Sequence, residues 1–461
     1  SGLTKTWPSL TYTYHSTGKI ASVKDNLNRT TEYSYTATLL SGVEWPSSSS
    51  DNVTFTYTGS RVASVNRGFG TWNYSYSENG TTRTTTVTSP ESETTTVVSQ
   101  LSTGLVTSVK DGLNRTTAYA YDSSQRLDTI TQPEGNKVEY TYDARGNVTQ
   151  TRVKAKPGSG LTNIVTSATY LSSCTDANRK ICNKPTTTTD ARGNVTSYLY
   201  DQSSGGVASV TLPAVGGSSP KTQYTYSLKQ ARYKNSASSY VNGGFVYVMT
   251  SSKSCATATT CGNSANETVT TIAYPSASAV NNLLPTSVTN RAGDSSVTST
   301  STFAYDHNGD VVTVDGPLSG SADKARNIYD VTRQLIGTIA PDPDGGGSLK
   351  YRAVKTTYNT DGLPTVVEVG TTTNNSASAL SGFVSLQKQE TVYNAYNRVK
   401  ETRAFDGATI KLVSQVSYDS AGRPECSALR MNPSTFGSLP SSACSLGISG
   451  DFGADRISKT V

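Results

Sequence analysis

Tyr121-Asp-Ser-Ser-Gln-Arg-Leu-Asp-Thr-Ile-Thr-Gln-Pro-Glu-Gly-Asn-Lys-Val-Glu-Tyr-Thr-Tyr-Asp-Ala-Arg-Gly-Asn-Val-Thr149 decides how this chain folds. Tyr140 and Tyr142 flank the small Thr141, so side-chain alternation puts both rings on one face of an extended strand. Asp143-Ala-Arg-Gly146 follows. Aspartate suits the first position of a type I turn, because its carboxylate caps nearby backbone N–H groups. Gly146 suits the left-handed position that closes a three-residue hairpin loop. Residues 147–153 alternate again as a return strand, and Gln132-Pro-Glu-Gly-Asn136 supplies a second kind of turn, between one hairpin and the next. The unit is two strands and two turns, about 20–25 residues long.

The unit recurs along the whole chain. Residues 23–35 reappear nearly unchanged as 109–121, and 143–149 as 190–196. A tyrosine followed by Asp or Asn marks each copy: Tyr121-Asp122, Tyr142-Asp143, Tyr200-Asp201, Tyr305-Asp306, Tyr329-Asp330, Tyr358-Asn359, Tyr393-Asn394 and Tyr418-Asp419, with turn glycines at Gly146, Gly309 and Gly422. Unequal periods of one unit point to a repeat architecture, all-β and continuous over residues 1–461. A hairpin this short cannot bury its own tyrosine face, so units must stack edge to edge in one long sheet. The open edges of that sheet need covering by further repeats or plug domains of the same chain. The Tyr-x-Tyr rings are expected to form a ladder across neighbouring strands, held by burial, with the hydroxyls contributing little. Less periodic stretches near 154–186, 228–266, 341–350 and 424–450 read as loops leaving the array. Leu380, Phe383 and Leu386 predict one short helix within 376–389.

Composition sets the outer limits. The 461 residues carry a net charge of +6, with 16 % charged and 34 % hydrophobic residues. No run of like charges occurs, so the basic residues read as a solvated mixed surface and not as a nucleic-acid footprint. No apolar stretch approaches a membrane span. The 27 tyrosines are large, amphipathic and strand-favouring, and supply the burial that aliphatic residues give elsewhere. The opening Ser-Gly-Leu-Thr and the strand-like final residues suggest a fragment or a processed product.

Six cysteines fall inside the insertions and pair by proximity as Cys174/Cys182, Cys255/Cys261 and Cys426/Cys444. Spacings of 8, 6 and 18 without nearby histidine do not suit a metal, whereas short disulfide loops would pin the insertions. Disulfides imply an oxidising compartment, at the cell surface or outside it.

Candidates for chemistry are few. His15 occupies the Asp place of one turn and His307 follows Asp306 in another, and both read as turn residues. Asp306-His-Asn-Gly-Asp310 and Asp342-Pro-Asp-Gly345 superficially resemble calcium loops, but neither continues to the distal bidentate glutamate that such loops need. The Asp342/Asp344 pair lies in a Pro/Gly loop and reads as a solvated turn. Neither a nucleophile elbow nor a phosphate-binding glycine loop is present. No catalytic residue, metal site or cofactor is assigned.

The pattern Tyr-Asp-x-x-Gly-Asn/Arg-Val/Leu, preceded by Gly and Tyr-x-Tyr, resembles the tyrosine–aspartate (YD) repeat of the rearrangement-hotspot (RHS) family. Residues 121–143 and Tyr418-Asp-Ser-Ala-Gly-Arg-Pro424 are its clearest instances. The resemblance implies a strip of β-hairpins that spirals into a hollow shell. In bacterial polymorphic toxins and the shell component of insecticidal toxin complexes such a shell encloses a C-terminal effector, and in teneurins it serves adhesion. Arrays that carry a toxin end in a plug with an Asp-Pro-x-Gly signature, often self-cleaving through aspartates. Here the only similar stretch, Pro341-Asp-Pro-Asp-Gly345, lies inside the array without the aromatic-rich continuation, so no catalytic residue carries over. The expectation is a secreted or surface-displayed scaffold, not an enzyme, that encloses or presents an effector lying outside these residues. The alternative is an extracellular adhesin or filament binding glycans or neighbouring cells.

Overall fold

A computed structural model describes residues 8–234, 239–256, 261–320 and 322–460. The first residues of the chain, parts of the 228–266 insertion and Val461 lie outside them. The described residues form 33 strands, from Leu10–Tyr14 to Arg456–Lys459, in one unclosed sheet, with two short 3-10 helices at Ala379–Gly382 and Pro433–Thr435. Registers between consecutive strands are antiparallel, as hairpin-to-hairpin stacking requires. No helix among the described residues is long and apolar enough to cross a membrane.

A bulge recurs at one place. In the hairpin of Lys137–Tyr142 and Val148–Lys154 the register slips between Thr141 and Tyr142, so Tyr142 faces Val148. The same slip precedes Tyr121, Tyr200, Tyr305, Tyr329, Tyr358, Tyr393 and Tyr418. The left-handed residue that ends a three-residue loop produces this bulge and re-aims the tyrosine beside it.

The chain divides into two compact units. One comprises Ser1–Glu78, Thr84–Thr96 and Leu318–Val461; Ile339, Ala353 and Ala379 form a small core there with Ile328, Tyr351 and Phe383. Cys426, Ala428 and Ala443 form a second, beside Cys444 and Ile457. The other unit comprises Asn79–Arg83 and Val97–Pro317, and its buried residues include Val269, Cys255, Glu267 and Asn282. Most strand residues in both are half-buried, as in a sheet packed on one face at most.

Two expectations need correction. Where residues 228–266 read as a loop, Lys221–Lys234 and Tyr240–Cys255 are the two longest strands of the protein. Their Ser, Gly and Asn content hid an alternation that pairs them from end to end. Where 376–389 read as a helix, only Ala379–Gly382 turns, and Val384–Tyr393 is a strand paired with Pro364–Thr372. Phe383 packs against the small core and Leu380 lies over Gly337, but Gly382 and the β-branched Val384 favour the extended continuation. The 341–350 stretch is loop, whereas the other two insertions contain the strands Ile164–Thr169 and Pro424–Arg430.

Candidate functional site

The repeat turn is the smallest recurring site. Asp143 Oδ1 accepts the backbone N–H groups of Arg145 and Asn147, both at 2.9 Å, and Oδ2 accepts Asn147 Nδ2 at 2.8 Å. The Gly146 N–H donates to Asp143 O, and Gly146 sits at φ +90°. Asp122, Asp306 and Asp419 cap their turns in the same way, and Gly309 and Gly422 have φ of +84° and +75°. Asp201 differs: its loop is one residue longer and its carboxylate takes the Ser204 N–H. These hydrogen bonds favour the ionised carboxyl. Asn147's side chain above all holds Asp143 below the usual carboxylate range, and Arg126's backbone N–H above all does so for Asp122.

The tyrosine before each turn faces a partner that burial alone did not suggest. Tyr142 Oη donates to Leu127 O at 2.7 Å, and Arg126 lies 4.6 Å over the ring. Tyr121, Tyr200, Tyr358 and Tyr418 reach Val106, Pro185, Leu335 and Val399 in the same manner. Each hydroxyl thus ties a hairpin to the strand that begins the return of an earlier one. This corrects the expectation of a passive hydroxyl, and the ring's companion is a cation more often than another ring. Tyr305 is half-buried at the same place, and burial pushes its phenol pKa up.

Within the first unit, turns far apart in sequence meet along a seam. Arg29 Nη1 donates to Gln334 Oε1 at 2.9 Å, and the Ser47 N–H donates to Asp361 Oδ1 at 2.9 Å. Phe69 meets Tyr396 edge to face at 5.4 Å, and Arg398 lies 4.2 Å over the Phe69 ring. Ser420 donates its N–H to Glu91 at 3.1 Å, and Arg423 pairs with Glu93 at 3.3 Å. A cavity of about 420 Å³ opens on this seam, lined among others by Asp25, Arg29, Trp45, Gln334 and Asp361. Its charged groups are engaged: Asp25 with Arg29 at 2.6 Å, and Asp361 with Ser47. The arrangement holds two stretches of sheet together and presents no acid–base pair. Sequence reasoning missed these residues, because their partners lie more than 300 positions away.

The three cysteine pairs lie at disulfide distance, with Cα–Cα separations of 5.2, 5.3 and 5.2 Å for Cys174–Cys182, Cys255–Cys261 and Cys426–Cys444. Glu425, Cys426 and Cys444 form one cluster of potential metal ligands, but its two sulfurs face each other as a disulfide. His15 Nε2 lies 3.1 Å from Tyr33 O and its ring packs edge-on against Tyr35. The Asp306 carboxylate caps its own turn. Asp342 accepts the Asp344 N–H and the Tyr351 hydroxyl, and Asp344 accepts the N–H groups of Gly347 and Leu349.

The RHS Repeat family model matches residues 102–137 and 121–155. Comparison with curated proteins gives no match. Among solved structures, the crystal structure of TcdB2-TccC3-Cdc42 superposes at a TM-score of 0.55 and 14 % identity, over 91 % of this chain and 23 % of that one. The crystal structure of TcdB2-TccC3 gives 0.54 and 13 %, over 91 % and 24 %. The chain therefore spans about a quarter of the structures it matches, and at this identity the likeness is one of fold. The capped turn, the bulge beside it and the back-reaching tyrosine recur far outside the matched residues, with the geometry found inside them, so the likeness to the RHS, or YD, repeat that the family model finds at residues 102–155 extends along the described strands.

Proposed function

We propose that the chain is a non-catalytic, exported scaffold, a portion of the wall of a β-shell that encloses or presents an effector carried beyond Val461 in a longer protein. The observation that carries this reading is the seam. Hairpin ends near residues 29–93 grip hairpin ends near 334–423 through an ion pair, hydrogen bonds and one aromatic wedge. A strip whose distant turns are built to meet can wall off a space, whereas an extended fibre has no use for such contacts. Three disulfides of short span suit a wall that works outside the cytosol. Its partners are further repeats and plug domains of the same chain.

Limited proteolysis of the full-length protein tests the reading. The segment after Val461 should survive while the shell is intact, and should be cut once the seam is opened by Glu91→Ala with Asp361→Ala. Equal, rapid cleavage in both proteins would place that segment outside and favour the adhesin reading.

A further inference from the structure

In the second unit, residues 170–186 stand where a repeat turn would close the hairpin of Ile164–Thr169 and Thr187–Thr189. This loop reaches both neighbouring hairpins. Toward the preceding one, Arg145 donates from Nη1 to Ser172 O at 3.1 Å and from Nε to Asn183 Oδ1 at 3.2 Å. Asn147 Nδ2 donates to the same Asn183 oxygen at 3.2 Å. Toward the following one, Lys180 donates to Ser203 O and Lys184 to Gly205 O, two carbonyls of the 201–206 turn. Their ammonium groups each lie 5.6 Å from a ring centroid, Lys180 over Tyr247 and Lys184 over Tyr200. One loop thus clasps the hairpins on either side of its own, and the Cys174–Cys182 bridge closes that loop.

The three bridges differ in access. Cys174 is exposed, whereas Cys182, Cys255 and Cys426 are 0, 2 and 2 % exposed and Cys261 and Cys444 are half-buried. Thiol–disulfide exchange begins with a thiolate attacking one sulfur of the bridge, so access to that sulfur decides which bridge reacts first. Each contact of the clasp is a single hydrogen bond near the surface. Such contacts act together only while the path of the loop is fixed, and a short covalent closure is what fixes it.

We propose that Cys174 is a thiol–disulfide exchange site, and that a dithiol acting there opens the clasp between the hairpins. The thiolate of the dithiol attacks Cys174 Sγ and forms a mixed disulfide. The bond to Cys182 Sγ breaks, its electron pair leaves with that sulfur, and the buried thiolate takes up a proton facing Arg179 O, 3.9 Å away. The second thiol of the dithiol then attacks the mixed disulfide at its own chain's sulfur. Cys174 departs as a thiolate, is protonated in turn, and the dithiol leaves as a cyclic disulfide. Two electrons and two protons have passed from the dithiol to the cysteine pair.

Graded reduction of the chain with dithiothreitol, quenched by alkylation and read by peptide mapping, tests the site. Cys174 and Cys182 should be alkylated roughly tenfold or more ahead of the other four cysteines. Hydrogen exchange on the same partly reduced protein should quicken at residues 145–147 and 203–206, while the 306–310 turn of the same unit keeps its protection. Cys174→Ser with Cys182→Ser should show that exchange pattern without reductant, and the reductant that opens only the first bridge should then add nothing. The partly reduced parent gives the same reading should the variant fail to fold. Opening of either other bridge first, or of all three together, would overturn the exchange site. Selective opening without faster exchange at both neighbouring turns would overturn the clasp.

Discussion

The Tyr142 hydroxyl donates to Leu127 O while the ring lies under Arg126, so the side chain serves as packing, hydrogen-bond donor and cation seat at once. Tyr142→Phe is expected to cost about 0.5–1.5 kcal/mol, the usual net worth of one hydrogen bond. Tyr142→Ala should cost more, since it also forfeits burial worth roughly 1.5–3 kcal/mol. Denaturant unfolding with hydrogen exchange at residues 127–148 separates the two, and a Phe variant equal to the parent would remove the hydroxyl from the account. The turn aspartates predict a pH effect. Hydrogen bonds hold Asp111, Asp122, Asp143 and Asp190 below the ordinary carboxylate pKa. A depressed folded-state value stabilises above the unfolded pKa, near 4, and that contribution fades as pH falls through the folded value. Melting temperature should drop below about pH 4. Asn359 and Asn394 already cap turns with Oδ1, so Asp143→Asn with Asp190→Asn should keep the neutral-pH melting point and soften the acid-side fall. The aspartate and its turn were legible because the interaction is local. The tyrosine's acceptor was not, because a backbone carbonyl 15 residues earlier carries no sequence signature.

Hairpins that look alike in sequence differ in what surrounds their turns. Gly146, Gly309 and Gly422 all have positive φ, where a β-branched residue costs about 1–2 kcal/mol. A Cβ at Gly146 would find only Arg126 side-chain atoms at 3.8 and 3.9 Å, one at Gly309 would press Leu284 at 3.3 Å, and one at Gly422 would strike Phe69 and Arg398. Valine should therefore lower the melting temperature in the order Gly146, then Gly309, then Gly422, whereas the sequence alone predicts equal losses. Disulfides act on the same scale. Peptide mapping without reductant should recover three local pairs and no free thiol, and Cys426→Ala with Cys444→Ala should cost roughly 3 kcal/mol on the chain-entropy account. A bridge between distant loops would contradict the pairing. Strands were readable wherever tyrosine or β-branched residues alternate. The long hairpin of Lys221–Lys234 and Tyr240–Cys255 escaped notice because Asn242, Gly243 and Gly244 speak for a turn, whereas Tyr240, Val241 and Asn242 pair with Lys234, Tyr233 and Arg232.

At the scale of the molecule, repetition made the all-β architecture legible, but not the contacts that bring remote turns together. Ser47 and Asp361 stand 314 positions apart, and nothing in either neighbourhood names the other. Phe69 is the aromatic member of this seam, wedged between Tyr396, Arg398 and the turn at Gly422. Phe69→Ala should expose the 394–398 and 419–423 turns to protease and to hydrogen exchange, and leave the 122–147 turns of the second unit protected. Uniform loss of protection would mean that the seam is no separate element of stability.

The tyrosine hydroxyls also give the molecule a direction in time. Every acceptor named for a turn tyrosine lies earlier in the chain: Tyr57 reaches Leu40, Tyr142 reaches Leu127, Tyr274 reaches Met249, Tyr418 reaches Val399. A chain that emerges from a ribosome or a translocation pore with its N-terminus leading finds each acceptor already in place when the donor arrives. Through these bonds each hairpin closes on the one before it, and contacts such as those of the seam are left to be made by residues still to come. Threaded the other way, every phenol would appear before its carbonyl and stand idle until the next hairpin followed. Assembly is thus polar, a growing edge that advances toward the C-terminus one hairpin at a time.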